Sequence, residues 1–399
     1  MRPPSPVTHW LASTSTLVLL IAVALPLAPA QQIPGVTGDS ILIGSCSALD
    51  GPARFLGSQT VLGASAYLHS VNDQGGVYGR KVNLMAFDDG FDPEKASGCF
   101  KRMLKEGVFA LGFFVGTPTA AKYLPLAQEE HIPVIGLFTG AQILYEPLKH
   151  EIINVRASYY DETHEQIHQL WEVVGVRKIG VICQDDAFGK AVLDGVKLAL
   201  EKHHATPVGV GTFLRNTTNV DAGVKAVMST RAEAVILAGP YAPVAEIVKA
   251  AHAAGWHPLF LTVSFVGTEE FIKLAGSDAE GTIITQVVPP YDRTDFPTVA
   301  LYREYLLKYY PGTPPSFVSL EGFVDAMVLV EGLRRAGKDL TREKLITAIE
   351  SIHNHDIGLG PKLTLNYGPT DHKGFDDVYD TVIQGGKPVV FTDWRSAGK

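Results

Sequence analysis

The chain has 399 residues, of which 46% are apolar and 19% charged, and its formal net charge at pH 7 is −8. This composition is typical of a globular protein with a large core, and a mildly acidic chain has no electrostatic reason to bind nucleic acid or an anionic membrane surface. At roughly 150 residues per domain, the length predicts two domains or lobes.

Residues 1–30 have the pattern of a secretory signal peptide. Arg2 and His9 precede an apolar run at 17–27, and the small residues Ala28-Pro29-Ala30 follow it. A basic start, a short apolar segment and an A-x-A end are typical of a cleavable signal, and the run is shorter than the ~20 residues that span a bilayer. We therefore expect cleavage after Ala30 and a periplasmic protein, with a signal anchor as the alternative.

The part of the chain after the signal alternates short β-branched runs with helical patterns. The predicted strands are 40–46, 81–88, 108–116 and 132–136, and the predicted helices between them are 57–72, 93–106 and 118–130. The same rhythm then starts again, with strands at 177–184, 207–214, 232–239 and 259–265 and helices at 187–203, 220–229 and 242–254. Strands separated by helices predict parallel sheets covered on both faces. The fold class is therefore α/β, with two doubly wound (Rossmann-like) lobes.

The last third of the chain has a different pattern. Pro289-Pro290 marks a boundary, and the helical patterns that follow have no strands between them, so these helices must pack on a sheet already formed. They cover 297–310 and 318–336, and a third is expected to begin at Thr341 as its N-cap. The tail reads as a hairpin around Gly385-Gly386.

The sequence lacks the motifs of catalysis and cofactor binding. No G-x-G-x-x-G follows a strand, and there is no P-loop, no G-x-S-x-G and no H-E-x-x-H. His353-Asn354-His355 is interpreted as a surface loop rather than a metal site, and the acid pairs Asp88-Asp89 and Asp185-Asp186 as turn and cap residues. We therefore expect no cofactor, no metal and no enzymatic activity.

Six loops are candidates for a binding site. In open α/β sheets ligands bind outside the carboxyl ends of the strands. The loops at these ends are 45–48, 116–119, 138–141, 184–186, 239–241 and 264–267. Threonine hydroxyls and free N–H groups at a helix start suit a carboxylate, and the aromatic side chains of Phe55, Tyr159, Tyr160, Tyr241 and Phe265 would provide flat apolar walls. Each loop alone could be a capping turn, but six of them facing one cleft favour a ligand site.

A series of stretches carries a resemblance to a known family. They are IGSCSALDGPARFLG, KVNLMAFDDGFDPEKA, FFVGTPTAA, IPVIGLFTGA, NVRASYYDET, QDDAFGKAV and AEGTIITQVVP, in that order. The chain resembles the periplasmic substrate-binding proteins of the branched-chain amino acid (Leu/Ile/Val-type) ABC-transporter family, which have the type I Venus-flytrap fold. The resemblance implies three crossovers between the lobes, near Arg156, Val287 and Gly368. It places lobe I at 38–157 plus 289–366 and lobe II at 158–288 plus 367–395.

The resemblance also implies a set of ligand-binding residues. Thr117, Thr119, Thr139 and the backbone of Ala141 would hold a ligand carboxylate, while the second lobe closes over the ligand. The whole predicted set is Ser47, Phe55, Thr117, Thr119, Phe138, Thr139, Gly140, Ala141, Tyr160, Asp185, Tyr241, Ser264 and Phe265. On this fold Cys46 ends the first strand and Cys99 lies on the crossing helix, so a Cys46–Cys99 disulfide is expected, with Cys183 reduced.

One departure from the family bears on the ligand. Amino-acid binders of this family commonly carry an acid near the place where this chain has the neutral residues Ser264 and Phe265. Asp185 is a possible substitute. An unpaired ammonium in a closed cleft would be costly, so an aromatic or other carboxylate, or a larger apolar molecule, is expected rather than a simple α-amino acid.

The expected partners are this small-molecule ligand and an inner-membrane ABC permease with a cytoplasmic ATPase, served by a monomer. A branched-chain amino acid binder and a soluble ligand sensor of the same fold remain as alternatives.

Overall fold

The first half of the chain forms a five-stranded parallel sheet with the order β2-β1-β3-β4-β5. The structure is a computed structural model that describes residues 1–8 and 33–397. Residues 1–8 contain no helix or strand, and the predicted cleavage site lies outside the described residues. The elements of this half are β1 (Ser40–Ser47), α1 (Arg54–Asp73), β2 (Lys81–Asp88), α2 (Pro93–Glu106), β3 (Ala110–Gly112), α3 (Thr117–Glu129), β4 (Val134–Ile135) and β5 (Ile152–Ile153).

The second sheet has seven strands in the order β14-β13-β10-β9-β8-β6-β7. Its elements are α4 (Tyr159–His168), β6 (Ile179–Gln184), α5 (Ala187–Glu201), β7 (Gly209–Phe213), α6 (Asp221–Met228), β8 (Ala234–Ala238), α7 (Tyr241–Ala253), β9 (Leu259–Thr262), α8 (Thr268–Ala275) and β10 (Ile283–Gln286). β6 to β10 pair in parallel, as the alternating pattern predicts, whereas the tail strand β13 pairs with β10 in the antiparallel sense.

The late part of the chain contributes to both sheets. Its elements are α9 (Pro297–Tyr309), α10 (Phe317–Ala336), α11 (Arg342–Glu350), β11 (His355–Asp356), β12 (Thr364–Leu365), β13 (Tyr379–Gln384) and β14 (Lys387–Val390). α10 packs along α1, and their apolar side chains share one core with the first sheet. β13 and β14 form the predicted hairpin, whose turn residues Gly385 and Gly386 have φ of 60° and 71°, a conformation that glycine adopts without strain. We call the first sheet with α1–α3 and α9–α11 lobe I, and the second sheet with α4–α8 lobe II; the residue boundaries expected from the sequence stay a prediction.

Two of the segments that connect the lobes run side by side. Asn154, just after β5, donates its N–H to the carbonyl oxygen of His372 at 2.8 Å, and its own carbonyl oxygen accepts the N–H of Gly374 at 2.9 Å. These bonds join the segment before α4 to the segment before β13, so the backbone of one crossover supports the other.

Local capping chemistry explains where several helices begin. Asp92 accepts hydrogen bonds from the N–H groups of Glu94 and Lys95 at 2.9 and 3.0 Å, and Pro93 occupies the first helical position of α2. Thr341 caps α11 through the N–H of Lys344 at 3.1 Å, as the sequence predicts.

The buried run at 108–116 forms a shorter strand than predicted. β3 ends at Gly112 because Phe113 has φ of 64°, a left-handed conformation that interrupts the strand. The chain returns to the sheet through a bridge between Val115 and Phe138. The bend thus separates β3 from the buried segment that leads into α3.

None of the helices in the described ranges, 1–8 and 33–397, is long and apolar enough to cross a membrane.

Candidate functional site

Four phenylalanine side chains from both lobes pack together between the two sheets. The ring of Phe265, in the turn after β9, lies with its centroid 5.6 Å from Phe138 and 5.9 Å from Phe91 of lobe I. On the side of lobe II it lies 4.4 Å from the centroid of Phe188. All four rings are fully buried, and their separations are those of favourable aromatic pairs. Phe265 is therefore one of the contacts through which the two lobes meet.

The sequence predicted two of these four residues, Phe138 and Phe265, and missed Phe91 and Phe188. Each missed residue lies within two or three positions of an acid pair that reads as a turn. Phe91 has φ of 56°, which is unusual for a bulky residue, and the turn brings its ring against Phe265. Phe188 lies in the first turn of α5, two residues after the capping Asp186. Each could have been recognised in the sequence as an aromatic residue that comes just after the end of a strand, β2 for Phe91 and β6 for Phe188.

A second pair of predicted aromatic residues also joins the two lobes. Phe55 of lobe I and Tyr241 of lobe II meet edge to face, with ring centroids 5.9 Å apart, and the Tyr241 hydroxyl accepts the Phe55 N–H at 3.3 Å. Gly267 lies beside them, and a β-carbon at that position would be 2.7 Å from the side chain of Leu56. Gly267 also has φ of 74°, a backbone conformation that other residues rarely adopt, so a substitution here would be strained.

The predicted carboxylate-binding segments come together at the start of α3. The Thr117 and Thr139 hydroxyl oxygens are 2.7 Å apart, and both residues are buried. The first N–H groups of a helix have no partner within it, and together with hydroxyls they form a natural site for an anion. The carbonyl oxygen of Gly140 accepts the N–H of Tyr159 at 2.7 Å, which fixes the start of α4 against this segment.

Three other predicted residues of lobe I are buried, and two of them have hydroxyls already occupied. Ser47 donates to the carbonyl oxygen of Phe113 at 2.9 Å, and Thr119 donates to that of Val115 at 2.6 Å. Ala141 is buried where a short turn begins. The hydroxyls of Ser47 and Thr119 therefore hold the backbone of the strand ends in place.

We call Phe91, Phe138, Phe188 and Phe265 the aromatic cluster. Two predicted residues of lobe II do not lie at this cluster. Asp185 is exposed. Tyr160 is only half-buried, and its ring lies over Gly195 of α5. The preceding residue, Tyr159, faces the site instead: it is fully buried, its ring is 5.4 Å from that of Phe188, and its hydroxyl has no hydrogen-bond partner. Two adjacent tyrosines at a helix start cannot be told apart from the sequence, because the entry angle of α4 decides which one points inward.

The acid that the sequence seemed to lack near Ser264 is Glu162 of α4. Its carboxylate accepts the backbone N–H of Ser264 at 2.7 Å and the Ser264 hydroxyl at 2.9 Å. It also accepts the Thr285 hydroxyl at 2.7 Å and a guanidinium N–H of Arg156 at 2.8 Å. The sequence could not indicate this because Glu162 lies about a hundred residues from Ser264 along the chain.

Arg156 connects this acid to lobe I. Its guanidinium donates to Glu321 of α10 at 3.1 Å on one side and to Glu162 and Ser264 on the other. Burial raises the pKa of Glu321 to about 7, and that of the neighbouring Asp325 well above its usual range. A single buried cation thus joins acids from both lobes.

The cysteines and histidines have no direct part in this site. Cys46 and Cys99 are joined in a disulfide with a Cα–Cα distance of 6.1 Å, and Cys183 is a buried thiol. Among the side chains of residues 1–8 and 33–397, no group of three or more His, Cys, Asp and Glu is arranged to hold a metal ion.

Comparisons with known proteins agree with this architecture. A family model described as periplasmic binding protein matches residues 40–387. The Leu/Ile/Val-binding protein homolog 3 of Brucella melitensis is 23% identical over 334 residues, which are 83% of this chain and 88% of that protein.

Two solved structures show the same fold. A possible leucine/isoleucine/valine-binding protein from Rhodopirellula baltica is 31% identical with a TM-score of 0.86, over 93% of this chain and all of the other. A fatty acid ABC transporter substrate-binding protein from Thermomonospora curvata is 24% identical with a TM-score of 0.82, over 90% of this chain and 93% of the other. The two lobes, the site between their strand ends and the match over most of the chain lead to one conclusion: this chain belongs to the periplasmic binding protein family, with its relatives among the Leu/Ile/Val-binding type.

Proposed function

We propose that this protein is the substrate-binding component of an ABC importer and that its ligand is a small organic acid with an aromatic or other apolar body. The ligand would lie between the two lobes, and the loaded protein would deliver it to an inner-membrane permease with a cytoplasmic ATPase. In this role the protein acts in the periplasm, as a monomer, and carries out no covalent chemistry.

The proposal rests on two surfaces that lie side by side, one suited to a carboxylate and the other to an apolar group. Thr117, at the start of α3, and Thr139, in the segment after β4, supply two hydroxyls, and the start of α3 adds helix N–H groups for a carboxylate. Phe138 and Phe265 supply apolar walls directly beside them. A molecule with a carboxylate at one end and an apolar body at the other matches both surfaces at once.

The fold alone does not choose the ligand. Structures that share it include a possible leucine/isoleucine/valine-binding protein and a fatty acid transport protein. The side chains between the lobes must therefore decide. Here Phe91, Phe138, Phe188 and Phe265 are all large and apolar, which favours an aromatic or extended apolar body over a small polar one.

Closure of the lobes is the step that links binding to transport. Because the aromatic cluster is buried, a ligand reaches it only when the lobes separate. A ligand shifts the balance towards the closed state by its differential affinity for that state. The parallel crossovers at Asn154 and Gly374 are the natural place for the hinge.

The test is a thermal-shift screen of residues 31–399 against amino acids, aromatic and aliphatic carboxylates and lipids. A ligand that binds only the folded protein raises its melting temperature by mass action. We expect stabilisation by aromatic or branched aliphatic acids. Stabilisation by leucine, isoleucine or valine alone would contradict the proposed ligand class and favour a branched-chain amino acid binder.

A further inference from the structure

Arg156 is the fully buried arginine of the site and lies where the two lobes meet. Only 2% of its side chain is exposed, and no other arginine or lysine in the described part of the chain is among the buried residues. Its guanidinium carbon is 5.5 Å from the ring centroids of both Phe138 and Tyr159, a distance at which a cation is attracted to an aromatic ring. The positive charge therefore borders the proposed ligand site.

The carboxylate of Glu162 has no acceptor position left for a ligand. An ionised carboxylate has about four lone-pair sites. One oxygen of Glu162 accepts from Arg156 and the Ser264 hydroxyl, and the other accepts from the Ser264 N–H and the Thr285 hydroxyl. These are four donors, all from the protein itself, at 2.7 to 2.9 Å.

Arg156 is itself nearly saturated. Its guanidinium donates to Glu162, Ser264, Glu321 and the carbonyl oxygen of Ala157. A guanidinium has five N–H donors, so no pair of parallel N–H groups remains for a ligand carboxylate. Arg156 is therefore paired with acids of the protein itself. The ligand carboxylate would bind to Thr117 and Thr139 instead.

Two further buried acids lie nearby, and burial disfavours the charged form of both. Glu321 is paired with Arg156 at 3.1 Å, and burial raises its pKa to about 7. Asp325 lies against Gly136 at the end of β4, on the side of lobe I. Burial raises its pKa well above its usual range, which disfavours its charged form.

We propose that Arg156 determines ligand specificity by serving as the internal counter-ion of Glu162, so that the site accepts acids without an amino group and rejects the matching α-amino acids. The inference rests on the proposed function, because it names which members of that ligand class bind. An ammonium placed beside Arg156 would face a like charge and find Glu162 fully occupied. Burying it without an anionic partner is strongly unfavourable.

The experiment measures affinities by calorimetry for two matched ligand pairs. They are 3-phenylpropanoate with phenylalanine, and 4-methylpentanoate with leucine, which differ only in the amino group. For the wild-type protein we expect the acid of at least one pair to bind ten-fold or more tightly than its amino acid. In Arg156→Met the carboxylate of Glu162 loses its cation, and we expect the preference to shift towards the amino acid by at least ten-fold.

A matched control removes a positive charge elsewhere. Lys308 of α9 is exposed and paired with Asp73, and Lys308→Met should leave the preference of the wild-type protein as it is. The double variant Arg156→Met/Glu162→Gln removes both charges and should lose the gain in amino-acid binding. An unchanged preference in Arg156→Met, or an equal shift in Lys308→Met, would overturn the assignment of Arg156.

A second variant keeps the inference testable if Arg156→Met does not fold. In Glu162→Gln the guanidinium keeps its charge and loses one carboxylate partner, so we expect the preference for the acid over the amino acid to widen. A narrower preference would contradict the inference. If no acid and no amino acid binds the wild-type protein, the proposed ligand class is wrong; if the amino acids bind the wild-type protein as tightly as the acids, the role of Arg156 is wrong while the binding function stands.

Discussion

The carboxylate of Glu269, in the first turn of α8, accepts the backbone N–H of Phe317 at the start of α10, 3.1 Å away. The bond joins lobe II to lobe I, and the second carboxylate oxygen of Glu269 is buried without a partner. The contact of Glu269 with the other lobe cannot be read from the sequence, because it depends on how the lobes meet.

Ligand affinity should depend on pH through Glu269. Burial raises the pKa of this carboxyl from 4.5 to about 7, so the closed protein binds a proton that an opened one, with Glu269 in water, releases. Closure is therefore most favourable below the solvent value of the pKa and weakens as the pH rises through about 7. One pKa unit corresponds to about ten-fold in an equilibrium constant, so if closure and binding are fully coupled the shift from 4.5 to about 7 lowers affinity by roughly fifty-fold from pH 5 to pH 7.5.

The measurement is a series of ligand titrations between pH 4.5 and 8 on the wild-type protein and Glu269→Gln. The glutamine keeps an oxygen for the Phe317 N–H and has no charge, so its affinity should vary less with pH. A profile for Glu269→Gln as steep as that of the wild-type protein would show that another group controls the pH dependence.

Thr117 and Thr139 should matter more for binding than Thr119. Their hydroxyls lie 2.7 Å from each other at the start of α3, whereas the Thr119 hydroxyl is bonded to the carbonyl oxygens of Val115 and Gly116. A hydrogen bond to a charged group contributes about 1.5–3 kcal/mol. Thr117→Ala and Thr139→Ala should therefore weaken binding of a carboxylate ligand by roughly ten-fold or more in calorimetry. An equally large loss in Thr119→Ala would contradict the assignment.

The adjacent tyrosines provide a matched pair of variants. The Tyr159 hydroxyl is buried and has no hydrogen-bond partner, while Tyr160 lies half-buried over α5. A buried hydroxyl without a partner is unfavourable, so Tyr159→Phe should keep or raise the melting temperature of the ligand-free protein. If the hydroxyl bonds the ligand, the same variant should lower affinity by about ten-fold, whereas Tyr160→Phe should leave it unchanged. The reverse order of effects would place Tyr160 at the ligand.

The sequence predicts those parts of the fold that depend on local patterns. It does not predict which side chains pair where the two lobes meet. The alternation of strands and helices predicts both sheets, and the hairpin at Gly385 follows from its two glycines. The pairing of Arg156 with Glu162 and Glu321 could not be predicted, because nothing near Arg156 in the chain indicates that α10 returns to it. Taken alone in the sequence, each of these three residues could also be interpreted as a surface or helix-cap residue.

The sequence predicts a site at the strand ends and includes Phe138 and Phe265 in it, but it does not indicate Phe91, Phe188 or Glu162. Ser264 reads as a neutral replacement for an acid, yet the carboxylate of Glu162 lies 2.7 Å from its N–H. Whether Tyr159 or Tyr160 faces inward depends on how α4 is rotated about its own axis where it begins. Such differences are settled by tertiary packing, which a single sequence does not encode in any short stretch.

The Cys46–Cys99 disulfide should make a large contribution to stability. The bond closes a segment with a sequence separation of 53 between the end of β1 and α2. In the chain-entropy treatment a loop of this length corresponds to about 4 kcal/mol of stabilisation, because the unfolded chain is restricted. The double variant Cys46→Ala/Cys99→Ala should therefore unfold at markedly lower denaturant concentration than the wild-type protein. Cys183→Ala, which removes a buried thiol outside the bond, serves as the comparison and should change stability much less.

Thiol counting tests the pairing independently of stability. Burial raises the pKa of the Cys183 thiol to about 12, so it should react slowly with a maleimide in the native protein because little thiolate is present. After denaturation without a reductant, mass spectrometry of the mature chain should find one labelled cysteine, and reduction should raise the number to three. Three labelled cysteines before reduction would show that Cys46 and Cys99 are not bonded, and the stability difference between the two cysteine variants should then disappear.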